Sequence, residues 1–273
     1  MWNRGSWTRR TWTAVALLAA GAILAGQAPA PEPATDAETE LGLAAYNELK
    51  TQAEIIAASP LYDILKPVTQ SITRVAQPQY EHPFKFLLVH EARPNAFSTP
   101  GGNVYVTDSL LYFVRNTEEL AGTLCHEVSH TIHHDAMRRI EEARRTKLAQ
   151  IGAAVLLGPT MARVLAIALL GDLHSTSYSR DIESAADVTG ADVCAAAGYN
   201  PWGLVWLFQD FENAETRPLP QFLSDHPGNE TRIATLQKHF RENPARFSKF
   251  DQDRHSATAL RVPEDATVQF LRP

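Results

Sequence analysis

The string His126-Glu127-Val128-Ser129-His130 constrains this chain more than any other stretch of it. On an α-helix, residues four apart project from one face, so two imidazoles at this spacing can grip a single ion. Glu127 is rotated off that face but lies next to it, within reach of a water at the ion. The string therefore asks for a helix through 126–130, two zinc ligands and a general base. Read alone, it also fits a polar helix surface that carries histidines one turn apart. The flanks favour the metal reading. Asn116 followed by Glu119 is a capping-box pattern, and it opens a helix predicted from about Thr117 into the 140s. Leu120, Leu124, Val128 and Ile132 fall on its inward face.

Catalytic zinc needs a third protein ligand and an open fourth position. The metzincin solution, H-E-x-x-H-x-x-G-x-x-H, would require Gly at 133 and His at 136. This chain has His133 and Ala136, which closes that route. The other solution takes a Glu from a later helix, supported by an Asp one turn on. Arg180-Asp181-Ile182-Glu183-Ser184-Ala185-Ala186-Asp187 supplies the pair, on a helix predicted from about Arg180 to Ala197 and stopped by Gly198-Tyr199-Asn200-Pro201. Glu183 can bind the ion while Asp187 accepts a hydrogen bond from the far nitrogen of a ligand histidine. His₂Glu favours zinc, one ion per chain, without excluding other divalent ions. A structural metal site is the weaker reading, because such sites fill four positions with Cys or His and have no use for Glu127.

These motifs have company. Asn95-Ala96-Phe97-Ser98-Thr99-Pro100-Gly101-Gly102, Ser179-Arg180 before Glu183 and Ala186-Asp187, Gly198-Tyr199-Asn200-Pro201, and His226-Pro227 with Arg232 occur in that order. Together they resemble the gluzincin metallopeptidases related to HtpX, BepA and the CAAX prenyl proteases, in their soluble periplasmic branch. The resemblance covers nearly all of residues 40–235. It implies an α+β fold, a mostly helical zincin-type domain with a small β-sheet. The sheet's edge strand lies beside a zinc cleft between the H-E-x-x-H and E-x-x-x-D helices. Asn95, Ala96 and Phe97 would belong to that edge, which pairs with an extended peptide through its backbone. In some relatives the histidine matching His226 takes the fourth metal position and holds the enzyme latent; the alternative here is a loop histidine packed on Pro227. Arg232 would pair with Asp187 or steady the oxyanion, and Tyr178 is a second oxyanion candidate.

Three departures accompany the resemblance. Relatives often carry a histidine nine positions after the first ligand, where this chain has Asp135. His133 and His134 before it read as one solvated or supporting patch. The transmembrane helices of HtpX and the helical-repeat domain of BepA have no counterpart here. The expected activity is zinc-dependent endopeptidase cleavage of unfolded or misassembled envelope proteins. The competing expectation is a latent zinc-bound chaperone or scaffold that holds such clients without cutting them.

The rest of the sequence sets the frame. With 273 residues, 44% of them hydrophobic and 21% charged, the chain can hold a fold on one core without staples. Its formal charge of −6, with no basic stripe, argues against a nucleic-acid partner. Residues 1–30 have a basic start, an apolar middle and a small-residue end, as a secretory signal does; the uncharged run 11–31 also suits an uncleaved inner-membrane anchor facing the periplasm. An exported compartment permits a disulfide between Cys125 and Cys194, if the fold brings them together. Residues 31–40 read as a linker, 41–250 as the peptidase domain and 251–273 as a tail. Helices are predicted over 41–58, through Leu41, Leu43, Tyr46 and Leu49, and over 61–76. Strands are predicted at 84–89 and 103–106, with Pro100-Gly101-Gly102 turning between them. Asp108 is placed as the cap of a short helix reaching about Val114. The apolar stretch 148–171 is too short to span a bilayer and reads as a buried helical hairpin or a flap touching a membrane surface.

Overall fold

A computed structural model describes residues 36–271, except 53, 152–177, 214–221, 223–225, 227–228 and 265. The predicted export segment, Pro227 and nearly all of the apolar 148–171 stretch lie outside the described residues. Among those described, no helix is long and apolar enough to cross a membrane.

The chain opens with α1 (Ala37–Thr51), β1 (Ile56–Ala58) and α2 (Leu61–Ala76). α1 starts four residues before the expected place, because Asp36 accepts the Thr39 N–H as an N-cap and Glu38 and Glu40 suit the first turn. The end of the linker is therefore helical. Leu41, Ala45 and Leu49 form the buried stripe, while Leu43 points outward, 57% exposed. At the far end, residues 56–58 are a strand and not more helix.

A three-stranded sheet follows, in the order β2-β4-β3: β2 (Lys85–Val89), β3 (Ala96–Thr99) and β4 (Asn103–Thr107). Both expected strands are present, but they do not form a hairpin. β2 runs parallel to β4 from Lys85↔Asn103 to Val89↔Thr107. The Pro100-Gly101-Gly102 turn instead links β4 to the antiparallel β3, with Ala96 opposite Val106. Gly101 and Gly102 have φ of 78° and 82°, which is why the turn needs glycine. β3 is left as an edge of the sheet, beside the buried His/Glu cluster described below.

Four helices then build the body: α3 (Asp108–Phe113), α4 (Thr117–Ile132), α5 (Asp135–Ile151) and α6 (Arg180–Ala197). α3 is capped by Thr107 and not Asp108. At α4, Asn116 Oδ1 accepts the Glu119 N–H at 2.8 Å, and the Glu119 carboxylate reaches back to the Arg115 N–H at 2.8 Å. The predicted long helix is broken at His133 and His134, the latter with φ 54°. Leu120, Leu124 and Val128 are wholly buried and Ile132 partly so, each large apolar side chain stabilising the fold by about 1.5–3 kcal/mol. They pack into a core with Leu65 and Ile72 of α2 and Val104 and Val106 of β4.

α6 ends where expected. Gly198 has φ 93°, and the Tyr199 N–H donates to the Cys194 carbonyl at 3.0 Å. Then come α7 (Trp202–Asn213), α8 (Asn229–Glu242), the short α9 (Pro244–Phe247) and β5 (Gln269–Phe270). β5 pairs antiparallel with β1, so the expected tail packs on the same body as the rest.

Candidate metal centre

α4 and α6 meet face to face, and Gly190 sets how closely. A Cβ there would lie 3.2 Å from the backbone of Cys125 and His126. Beside this contact a disulfide joins Cys125 to Cys194, with Cα atoms 5.8 Å apart. The bridge ties the helix of the two histidines to the helix of Glu183.

The approach brings His126, His130 and Glu183 together with His226, all buried, one donor atom from each within 4.8 Å of the others. His126 Nε2 lies 3.0 Å from His130 Nε2 and 3.4 Å from Glu183 Oε2, and His130 Nε2 lies 3.6 Å from Glu183 Oε1. His226 Nδ1 is 3.2 Å from His126 Nε2 and 3.0 Å from Glu183 Oε1. Bonds of 2.0–2.1 Å to a tetrahedral zinc would put donors about 3.3 Å apart. The four donors therefore fit one zinc ion in spacing and in chemistry.

Around this quartet stands a shell of carboxylates. His126 Nδ1 is 3.0 Å from Asp187 Oδ1, and His130 Nδ1 is 2.8 Å from Asp135 Oδ2. Each points its histidine's other nitrogen at the quartet. Arg232 is 1% exposed and lies over the Phe208 ring, 4.3 Å from its centroid. It holds Asp187 with two bonds, Nε–Oδ2 at 2.8 Å and Nη2–Oδ1 at 2.6 Å, and Nη1 donates to the His226 carbonyl. Of its two expected roles, the structure pairs Arg232 with Asp187.

Glu127 is 1% exposed. Its Oε1 faces His226 Nε2 at 3.3 Å. Tyr178 stacks on His130 with ring centroids 4.5 Å apart, and Arg139 covers Tyr178. Ala96, Phe97 and Ser98 lie on the edge strand; Asn95, just before it, gives its N–H to Thr107 Oγ1.

The charges follow from burial and pairing. Burial raises the Glu127 pKa, as a general base working near neutral pH requires. Burial is the largest single influence on Glu183 and Asp187 and opposes their ionisation, but His226 with His126 for the first, and Arg232 with His126 for the second, together outweigh it, and both are held below their usual range. Burial and then Arg232 work against protonated His126, yet Asp187 and Glu183 prevail and raise it to about 9. Burial, and then His126, lowers His130 to about 3.

Sequence reasoning missed Asp135 as the partner of His130. Nor are His133 and His134 one patch. His133 Nε2 meets Thr189 Oγ1 at 2.9 Å, whereas His134 Nδ1 meets Glu38 Oε2 at 3.0 Å on another face.

Comparison with known proteins agrees with this geometry. The sequence profile described as Peptidase family M48 matches residues 63–239. The beta-barrel assembly-enhancing protease of Escherichia coli K12 is 31% identical over 163 residues, 56% of this chain and 33% of its own length. The protein of the same name from Yersinia pestis matches to the same extent. Mitochondrial metalloendopeptidase OMA1 of Saccharomyces cerevisiae is 28% identical over 153 residues, 54% of this chain and 44% of its own. The chain thus spans a third to under a half of the length of these relatives.

Proposed function

As the chain belongs to peptidase family M48, we propose that it is a zinc-dependent metalloendopeptidase, acts on unfolded or misassembled proteins of the cell envelope, and rests in a form latched by His226. The observation that carries the reading is the donor set of His126, His130 and Glu183, with Glu127 beside it. Zinc held there would polarise the scissile carbonyl and acidify the attacking water. Glu127 takes the proton from that water on its carboxylate and passes it to the leaving amine nitrogen. Asp187 and Asp135 accept from Nδ1–H of His126 and His130, which turns each Nε2 lone pair toward the ion. The edge strand β3 pairs with an extended stretch of substrate, which selects for unfolded chains over folded ones. Residues 1–30 address the protein to the periplasm, as a cleaved signal or as an anchor.

The latch rests on the place of His226, between Glu183 and Glu127, where a substrate carbonyl and the attacking water have to enter. Incubating the purified protein with an unfolded protein substrate tests both parts. Wild type cleaves slowly, His226→Ala cleaves faster, and Glu127→Gln or chelation abolishes cleavage. Full activity in Glu127→Gln would refute the mechanism. Metal-loaded protein that stays inactive as His226→Ala would favour the non-cutting holder, a reading to which the same latch lends support.

A further inference from the structure

Away from these ligands, two segments distant in sequence aim donors at one carboxylate of a third. Tyr80 is 4% exposed, and its ring packs against His82 and His134, at 5.3 Å and 5.4 Å between centroids. Its hydroxyl donates to Glu38 Oε1 at 2.5 Å, which fixes the carboxylate and leaves Oε2 facing the two imidazoles. His134 Nδ1 lies 3.0 Å from that oxygen and His82 Nε2 3.8 Å from it. Glu81 Oε2 approaches His134 Nε2 at 3.8 Å, and Asp36 Oδ1 approaches His82 Nε2 at 3.7 Å. Glu38, Glu81 and His134 place one donor atom each within 4.8 Å of the others.

We propose that Glu38, Glu81 and His134, with His82 alongside, form a second site for a first-row divalent ion such as zinc. Carboxylate and imidazole together suit ions of that class. The charge balance points the same way. Asp36, Glu38 and Glu81 bring three formal negative charges. Among the described residues, their ion pairs are with two imidazoles, His82 and His134, and with no Lys or Arg. An ion there would fasten the first turn of α1 to the break between α4 and α5, four residues after His130. Among the described residues the site has no buried general base like Glu127, so its role is to clip and not to cut.

The test is a metal count on the full chain, stripped with chelator and titrated with zinc chloride by calorimetry. Wild type should bind two equivalents of unequal affinity. His134→Asn and Glu38→Gln should each lose the weaker one and keep the tighter. Asn suits position 134 because it tolerates the left-handed backbone there, and Gln keeps the Tyr80 bond. His126→Ala should lose the tighter equivalent and keep the weaker. A single equivalent in wild type, or a second that persists in both His134→Asn and Glu38→Gln, would overturn the proposal. Loss of the tighter equivalent bears only on the proposed peptidase centre, so the two readings fail separately.

Discussion

Position 135 shows how one side chain can order a set of candidate ligands without being one of them. Asp135 is 1% exposed, accepts from His130 and is paired on its other oxygen with Arg138. Replacing it by Asn keeps the shape but weakens the pull on the imidazole N–H, and zinc affinity should fall about 10- to 100-fold. Competition with a chromophoric chelator measures this directly. Unchanged affinity would make Asp135 a packing residue only. Asp187 makes a different prediction, in pH. Its carboxyl is held below the unfolded value of 3.8, chiefly by Arg232 against burial. Its stabilising contribution is therefore complete above that value and is lost as pH falls through the lower folded one. Thermal unfolding of metal-free protein between about pH 5 and pH 3 should show a shallower pH slope in Asp187→Asn than in wild type. The variant should also be less stable throughout, because Arg232 is left buried without its main partner. Parallel pH profiles would remove Asp187 from the acid transition.

At the scale of elements, the centre depends on the contact between α4 and α6. The disulfide closes a span of 69 residues, which in the chain-entropy picture stabilises the fold by about 4 kcal/mol. The double variant Cys125→Ala/Cys194→Ala should lose about that much in denaturant unfolding, and a loss below about 1 kcal/mol would show that packing alone holds the helices. The entry to α4 is a smaller matter. Asn116→Ala removes the acceptor for the Glu119 N–H and should cost about 1 kcal/mol. The break at His133–His134 explains why a helix expected to continue into the 140s stops at Ile132. The helical spacing of apolar residues persists across a break, so it gives no warning of one. Only the turn at 134 lets Asp135 swing back to His130.

For the whole molecule, the last strand matters more than its place in the sequence suggests. Phe270 stands opposite Ile56, the Leu271 N–H donates to the Ile55 carbonyl at 2.8 Å, and Leu260 gives its N–H to the Arg115 carbonyl just before α4. A chain cut after Pro263 should unfold at lower temperature than the full chain while keeping its zinc stoichiometry. An unchanged melting temperature would return those residues to the status of a tail. The chain's own sequence determined the elements that rest on local chemistry. The capping box at Asn116, the one-turn spacing of His126 and His130, the Glu183–Asp187 turn and the glycine stop at Gly198 depend on neighbours a few residues away. Tertiary structure alone decided the parallel pairing of β2 with β4, the Cys125–Cys194 bridge, the swing of Asp135 onto His130 and the seat of His226 against Glu183. Each of those is a contact between residues made neighbours by packing, and spacing along a chain carries no distance for them.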